Sequence, residues 1–361
     1  MPEPLKNLYS TAFISTLGQL LFSATRNFDV KGFHNAIFDQ EWEQKELKAR
    51  MNHIAVTLHE YLQGNFRENI TTLKTVSSQF NGLKHMVFPA YVEIFGLQEF
   101  EVSMSALEYF TSNSSSEFAI RPFIKQTPLK TMQQMETWAE STNEHVRRLA
   151  TEGCRPRLPW AMALPGFKSD PQPVLKILEK LKSDESEYVR RSVANNLNDI
   201  SKDHPEVIVG IAKNWMGINK DIDWVVKHAC RSLLKQGDPE LMKLFGFRKP
   251  DHIKVQGFEL QSTVDMGGKL KFSFRLQSSK NELGKLRIEY AIDFMKNNGC
   301  QKRKVFKISE SENAGQQKLV CRVHSFKAIS TRKYYPGGHG FAVIVNGHEL
   351  LDGKFQLKFG V

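Results

Sequence analysis

The sequence predicts a mainly α-helical protein: a HEAT-like solenoid of helical repeats over residues 1–249, followed by an all-β, immunoglobulin-like sandwich over residues 250–361. Two observations carry this reading. A Val-Arg-Arg helix pattern recurs at a spacing of roughly 40 residues, the period of paired-helix repeats. Beyond Gly246-Phe247-Arg248-Lys249-Pro250 the apolar period changes from helical to alternating, as the two faces of a strand require.

From the N-terminus, residues 1–135 read as successive helices with few turn breakers. The apolar run over residues 12–24 imitates a signal peptide. It follows acidic Glu3 and is broken by Ser15, Thr16, Gly18 and Gln19, so it reads as a first amphipathic helix. In residues 46–62, Leu47, Met51, Ile54, Ala55 and Leu58 repeat at helical spacing, and His53 and His59 read as surface or capping residues. Residues 111–116 form a polar loop that ends at a helix N-cap. In Glu117-Phe118-Ala119-Ile120-Arg121-Pro122-Phe123, Glu117 and Arg121 stand at i and i+4. Taken alone, that spacing predicts a local ion pair worth a few tenths of a kcal/mol.

The first repeat copy runs Glu144-His145-Val146-Arg147-Arg148-Leu149-Ala150-Thr151-Glu152-Gly153-Cys154-Arg155 and on through Pro156-Arg157-Leu158-Pro159-Trp160. Val146, Leu149, Ala150 and Gly153 make a narrow buried stripe. Arg148, Glu152 and Arg155 fall on another face, predicting a carboxylate between two guanidinium groups on the exposed side. Gly153 and Pro156 stop the helix, and Pro159 stiffens the exit that presents Trp160. In the second copy, residues 187–200, Val189, Val193, Leu197 and Ile200 form the stripe, with Arg191, Asn195, Asn198 and Asp199 on the polar face. A weaker third copy occupies residues 224–234. Equivalent positions of stacked repeats converge on one groove, here a basic one with Glu152 and Asp199 set into it.

In the C-terminal part, residues 252–260, 269–276, 285–294, 302–308, 318–326, 340–345 and 354–360 read as strands with Gly, Asn and Ser between them. Some seven short strands suggest the immunoglobulin-like sandwich. Gln301-Lys302-Arg303-Lys304 and Ser330-Thr331-Arg332-Lys333-Tyr334-Tyr335-Pro336-Gly337-Gly338-His339 combine cations with aromatic and glycine residues. Phosphate contact and a charge guard on an edge strand are both open readings.

The net charge is +11 and the pI about 9.3, pointing to a polyanionic partner. Residues 251–361 hold 19 Lys/Arg against 10 Asp/Glu, a net of +9, which leaves +2 for the rest. Cys154, Cys230, Cys300 and Cys321 show no metal spacing and suggest reduced thiols in a cytoplasmic protein, with Cys300–Cys321 pairing the lesser alternative. No apolar stretch approaches the roughly 20 residues that span a bilayer. Neither a cofactor nor a metal is expected, and the protein is expected to act as a monomer.

Four strings, EFAIRPF (117–123), VRRLATEGCRPRLPW, EYVRRSVANNLNDISKDHP and STRKYYPGGHGFAVIVNG (330–347), resemble the bacterial 3-methyladenine DNA glycosylases of the HEAT-like repeat type, the AlkC group. The likeness runs through nearly the whole chain and is strongest between about residues 115 and 247. It implies base excision from alkylated double-stranded DNA without an enclosed base-flipping pocket, in a bacterial cytoplasm and on the nucleoid when bound. It alone moves Glu117 into the site.

The chemistry fits the residues. Breaking a base–deoxyribose bond develops positive charge at the anomeric carbon, which a nearby carboxylate stabilises while orienting water. An N3-methylated base is already cationic and leaves without a strong general acid. Glu152 and Asp199 supply carboxylates, and Trp160 an aromatic face for a cation. Arg147, Arg148, Arg155, Arg157, Arg190, Arg191 and Lys202 are the expected phosphate contacts, pairing of some of the arginines with the carboxylates being the alternative, with Lys302, Arg303, Lys304, Arg332 and Lys333 in the sandwich. A cap role for Asp199 and a core role for Trp160 are the bland alternatives. A non-catalytic scaffold binding DNA or an acidic protein is the rival, although acidic residues inside a basic face weaken polyanion binding. A lyase attacking the sugar through Lys202 is a second rival.

Overall fold

The computed structural model describes residues 3–329 and 332–359. Ser330 and Thr331 of the second basic loop, and Gly360 at the end of the last expected strand, lie outside the described residues. Packing divides the chain into two compact units: Met1–Ile208 with Trp215–Ala229, and Val209–Asn214 with Cys230–Val361.

The first unit is built of helices, each begun by a recognisable local signal. Ser10 caps Thr11–Thr25 by accepting from the Phe13 amide. Asn65 and Glu68 form a reciprocal capping box on Phe66–Ser77, satisfying two otherwise orphaned donors. Leu47–Tyr61 buries Met51, Ile54, Ala55 and Leu58, the residues that its spacing singled out. His53 lies 3.1 Å from the Ile37 carbonyl at the end of Val30–Ile37, a capping position, and His59 stacks on Phe95.

The repeat copies take the form their pattern predicted. Glu144–Gly153 buries Val146, Leu149, Ala150 and Gly153; Glu187–Ile200 buries Val189, Val193, Leu197 and Ile200. Each Val, Leu or Ile side chain among them contributes about 1.5–3 kcal/mol when taken fully from water. Glu187–Ile200 packs between Glu144–Gly153 and Lys220–Ala229, so the repeated helices lie side by side. The third copy is interrupted: its helix stops at Ala229, and Cys230 caps a new helix, Arg231–Gln236.

The second unit is a β-sandwich. One sheet has the order β1-β3-β6, with β1 Ile253–Leu260, β3 Lys269–Ser278 and β6 Gln317–Ser325. The other has the order β2-β8-β7-β4-β5, with β2 Thr263–Asp265, β4 Gly284–Met295, β5 Gln301–Asn313, β7 Gly337–Val345 and β8 His348–Lys358. The short β2, which pairs parallel with β8, was not foreseen; three residues carry too little alternation to read. Phe274, Phe326, Phe341 and Phe355 are fully buried between the sheets. The packing boundary at Ala229 and Cys230 precedes the change of period at 249/250. The turn at Gly237 explains why. Its φ is +77°, and a Cβ there would meet the Gly347 carbonyl oxygen at 2.8 Å, so only glycine permits this approach to the β7–β8 turn.

Candidate active site

Helix Glu144–Gly153 sets the geometry. Asn143 caps it by accepting from the His145 amide at 2.9 Å. A Cβ on Gly153 would lie 2.6 Å from Ile120 Cγ2 and 2.8 Å from Met135 Cε, so its last turn is pressed against the segment after Glu117. The helix ends at Gly153, as expected, and the segment before the next helix, Pro165–Ser169, carries Arg155, Arg157 and Trp160.

The polar face departs from expectation. Glu152 is only 5% exposed and Asp199 only 3%. Neither lies on a solvated ladder: Arg155, and Ser192 of the adjoining helix, close over Glu152, and Arg155 and Lys202 over Asp199. Arg155 Nη1 donates to Glu152 Oε1 at 2.5 Å, and its Nε donates to Asp199 Oδ2 at 2.9 Å. Ser192 Oγ donates to Glu152 Oε2 at 2.5 Å, and Lys202 Nζ donates to Asp199 Oδ1 at 2.9 Å. Arg148 Nη2 lies 3.6 Å from Glu152 Oε1, while its Nη1 donates to Glu117 Oε2 at 2.5 Å. The result is one row of alternating charge: Glu117, Arg148, Glu152, Arg155, Asp199, Lys202. Burial works against the charge on Arg148, but Glu117 and Glu152 outweigh it and hold the guanidinium above its usual range. Glu152 and Asp199 do the same for Arg155. Asp199 spends its oxygens on these cations and not on a helix cap.

The Glu117–Arg121 pair at i and i+4 does not form. Helix Arg121–Gln126 begins only at Arg121, so Glu117 precedes it and turns toward Arg148. Arg121 is completely buried. It donates to the Gly153 carbonyl at 2.8 Å, the Arg155 carbonyl at 2.9 Å and, through Nε, the Met162 carbonyl at 2.8 Å. Burial pulls its guanidinium down to about 10, partly offset by nearby Cys154, Glu117 and Asp199. Arg121 thus anchors both ends of the loop that presents Trp160. The sequence signal was a lone arginine inside Ala-Ile-Arg-Pro-Phe, where only a buried hydrogen-bonding role compensates the charge.

Trp160 is 67% exposed and has φ +63°. That excludes the core role and places a bulky residue in a left-handed conformation that disfavours it by about 1–2 kcal/mol. It lines a cleft of about 350 Å³ with Glu117, Phe118, Arg148 and Tyr188 on the same unit, and with Lys48, Met51 and Leu83 from the N-terminal helices. The Arg148 guanidinium lies 4.9 Å from the Tyr188 ring centroid. Tyr188 and Lys48 were not singled out from the sequence and converge on the cleft only through folding; Arg121 was read only as a local ion-pair partner of Glu117.

The other expected cations divide. Arg147 is buried, donating to Asp184 at 2.6 and 3.0 Å and to the Ser141 and Thr142 carbonyls. Arg190 is held by the Asp184 and Glu185 carbonyls and by Asp221. Both brace inter-repeat turns instead of reaching solvent. Arg157 pairs bidentately with Asp203, and exposed Arg191 pairs with Glu187. In the sandwich, Lys302, Arg303, Lys304, Arg332 and Lys333 line one open cleft of about 740 Å³. Arg303 is taken by Asp293 and Glu349. Arg332 lies 4.3 Å from the Phe294 ring centroid. Among the described residues Lys302, Lys304 and Lys333 have no carboxylate in salt-bridge range. The first three of these five belong to edge strand β5, as a charge guard would. All four cysteines are free.

Residues 93–235 match the family described as DNA alkylation repair enzyme, and residues 254–359 match that described as "Uncharacterised protein YhaZ, C-terminal Ig-like domain". The chain is a DNA alkylation repair enzyme of helical-repeat architecture with a C-terminal Ig-like domain. The protein YhaZ of Bacillus subtilis (strain 168) is 45% identical over 354 residues, 98% of this chain and 99% of that protein. The structure of Pseudomonas fluorescens alkylpurine DNA glycosylase AlkC, bound to DNA containing an abasic site analogue, shares 35% identity and a TM-score of 0.94, covering 99% of this chain and 100% of that one. This chain belongs to the AlkC-type DNA glycosylases. Among the described residues no helix is long and apolar enough to cross a membrane.

Proposed function

We propose that the protein hydrolyses the N-glycosidic bond of cationic N3-alkylated bases, 3-methyladenine and 3-methylcytosine, in double-stranded DNA. The observation that carries this reading is the convergence of Glu117, Arg148 and Trp160 on one cleft, backed by Glu152 and Asp199 in the same charged row. The DNA-bound state of the Pseudomonas fluorescens relative supports DNA as the partner.

The bond from C1′ to the base breaks with its electron pair going to the base, which leaves neutral. The sugar is left with oxocarbenium character, and a water oxygen then bonds to C1′ and loses a proton. Glu117 is the carboxylate in the cleft wall. A DNA phosphate competes with it for Arg148, and that exchange turns Glu117 toward the sugar. Glu152 and Asp199 keep Arg148 and Arg155 in place and add negative potential behind it. Trp160 supplies an electron-rich face for the cation. Arg157, Arg191 and Lys202, and Lys302, Lys304, Arg332 and Lys333 in the sandwich, are the proposed phosphate contacts.

Incubation with methylated duplex DNA and identification of the released bases tests the reading. Free 3-methyladenine or 3-methylcytosine is expected; binding with no base released would leave a scaffold. Borohydride trapping of protein on lesion DNA would instead mark a lyase.

A further inference from the structure

Trp160 needs an external restraint. Its backbone is left-handed and its indole largely exposed, so neither local conformation nor core packing holds the ring in place. Arg121 fixes the flanks of the loop at Gly153, Arg155 and Met162, but makes no bond to Trp160 itself. Lys48, half-buried on helix Leu47–Tyr61, does make one: its Nζ donates to the Trp160 carbonyl at 3.0 Å. The same ammonium lies 4.7 Å from the centroid of the Phe118 ring, and Phe118 directly follows Glu117. One cation therefore ties the backbone of the aromatic residue to the neighbour of the cleft carboxylate. Lys48 comes from outside residues 93–235, the part that matches the repair-enzyme family.

We infer that Lys48 is a positioning residue for base excision, acting through the Trp160 carbonyl and the Phe118 ring; this rests on the excision reading above. A charge-assisted hydrogen bond is about twice as strong as a neutral one, and a cation over an aromatic face adds to it. Together they set the distance between the indole and Glu117, which face the same cleft. Methionine matches the length of lysine but supplies neither the donor nor the charge, whereas arginine can supply both.

The test uses the full chain on duplex DNA carrying 3-methyladenine, with single-turnover excision at saturating enzyme and affinity for undamaged duplex measured in parallel. Lys48→Met is expected to slow excision on the order of 10- to 100-fold, the loss that comes with misplacing a reacting group by about 1 Å, while affinity holds. Lys48→Arg should recover most of the rate, which guards against a folding defect. Lys48→Met added to Trp160→Ala should lose less than the two single losses combined, because the lysine acts in part through the tryptophan. An unchanged rate in Lys48→Met, fully additive losses in the double variant, or a fall in affinity that matches the fall in rate would each overturn the inference; the last would make Lys48 a phosphate contact. If the unmodified protein releases no methylated base, the excision reading itself fails, a result distinct from all of these.

Discussion

Glu117, Glu152 and Asp199 carry charge of one sign, yet they differ in what surrounds them. Glu117 stands in the cleft wall with one cation, whereas Glu152 and Asp199 each meet two. Replacing any of them by its amide keeps the shape and removes the charge. Loss of one such electrostatic stabiliser costs about 2.7–4 kcal/mol, roughly 100- to 1,000-fold in rate. Single-turnover release of 3-methyladenine by Glu117→Gln, Glu152→Gln and Asp199→Asn should show losses of that size, with affinity for undamaged DNA level or raised. Excision at the unmodified rate by all three would mean that the chemistry lies elsewhere. The same assay separates positioning from engagement. Arg148→Ala should chiefly weaken binding, since its guanidinium is the one for which a phosphate is proposed to compete with Glu117, whereas Trp160→Ala should reduce excision more than binding; equal effects of both would contradict these roles.

At the scale of the element, the tight spot is the last turn of Glu144–Gly153 against Ile120 and Met135. Gly153→Ala should therefore destabilise the protein by about 1–3 kcal/mol, the usual effect of overpacking a filled interior, although alanine is the better helix former. A melting temperature at or above that of the unmodified protein would show that the neighbours yield freely. His85, on helix Gly82–His85, has no hydrogen-bond partner on either ring nitrogen among the described residues, and burial pushes it down to about 4. The folded pKa lies below the unfolded value, so between about pH 6.5 and 4 the unfolded chain binds the extra proton and stability falls as pH falls. Thermal melts across that window should decline, and His85→Leu should flatten the decline. His324 in the sandwich is likewise pushed down to about 4, by burial first and then by Arg332 and Lys304, so some slope should persist.

For the whole molecule, the uneven charge should govern how tightly DNA is held. Residues 251–361 account for +9 of the net +11, and counterion release makes such binding fall steeply with salt. Affinity for undamaged duplex should be salt-dependent and almost indifferent to sequence. Neutralising Lys302, Lys304 and Lys333 together to glutamine should weaken binding and lower the salt slope by up to about 0.9 for each phosphate that is no longer neutralised. An unaltered slope would assign these residues to guarding edge strand β5.

How much of this was legible beforehand follows the range of the interactions. Periodicity is a local property, so the repeated stripes Val146–Leu149–Ala150–Gly153 and Val189–Val193–Leu197–Ile200, the change to alternating strands and the end of the helix at Gly153 could all be read from the chain. The acidic candidates could also be read, because unusual strings carried them. Burial and pairing could not. Whether Glu152 and Asp199 face water depends on the side chains packed over them, and whether Arg147 or Arg190 reaches solvent depends on Asp184 and Asp221 more than 30 residues away. The ion pair expected within Glu117–Arg121 gave way to Arg148, 31 residues from Glu117. Lys48 meets Trp160 across 112 residues. The sequence by itself determined the two architectures and the inventory of charges and rings. Only the tertiary structure decided which charges neutralise one another and which face the cleft, because electrostatic pairing is set by distance in space and not by separation along the chain.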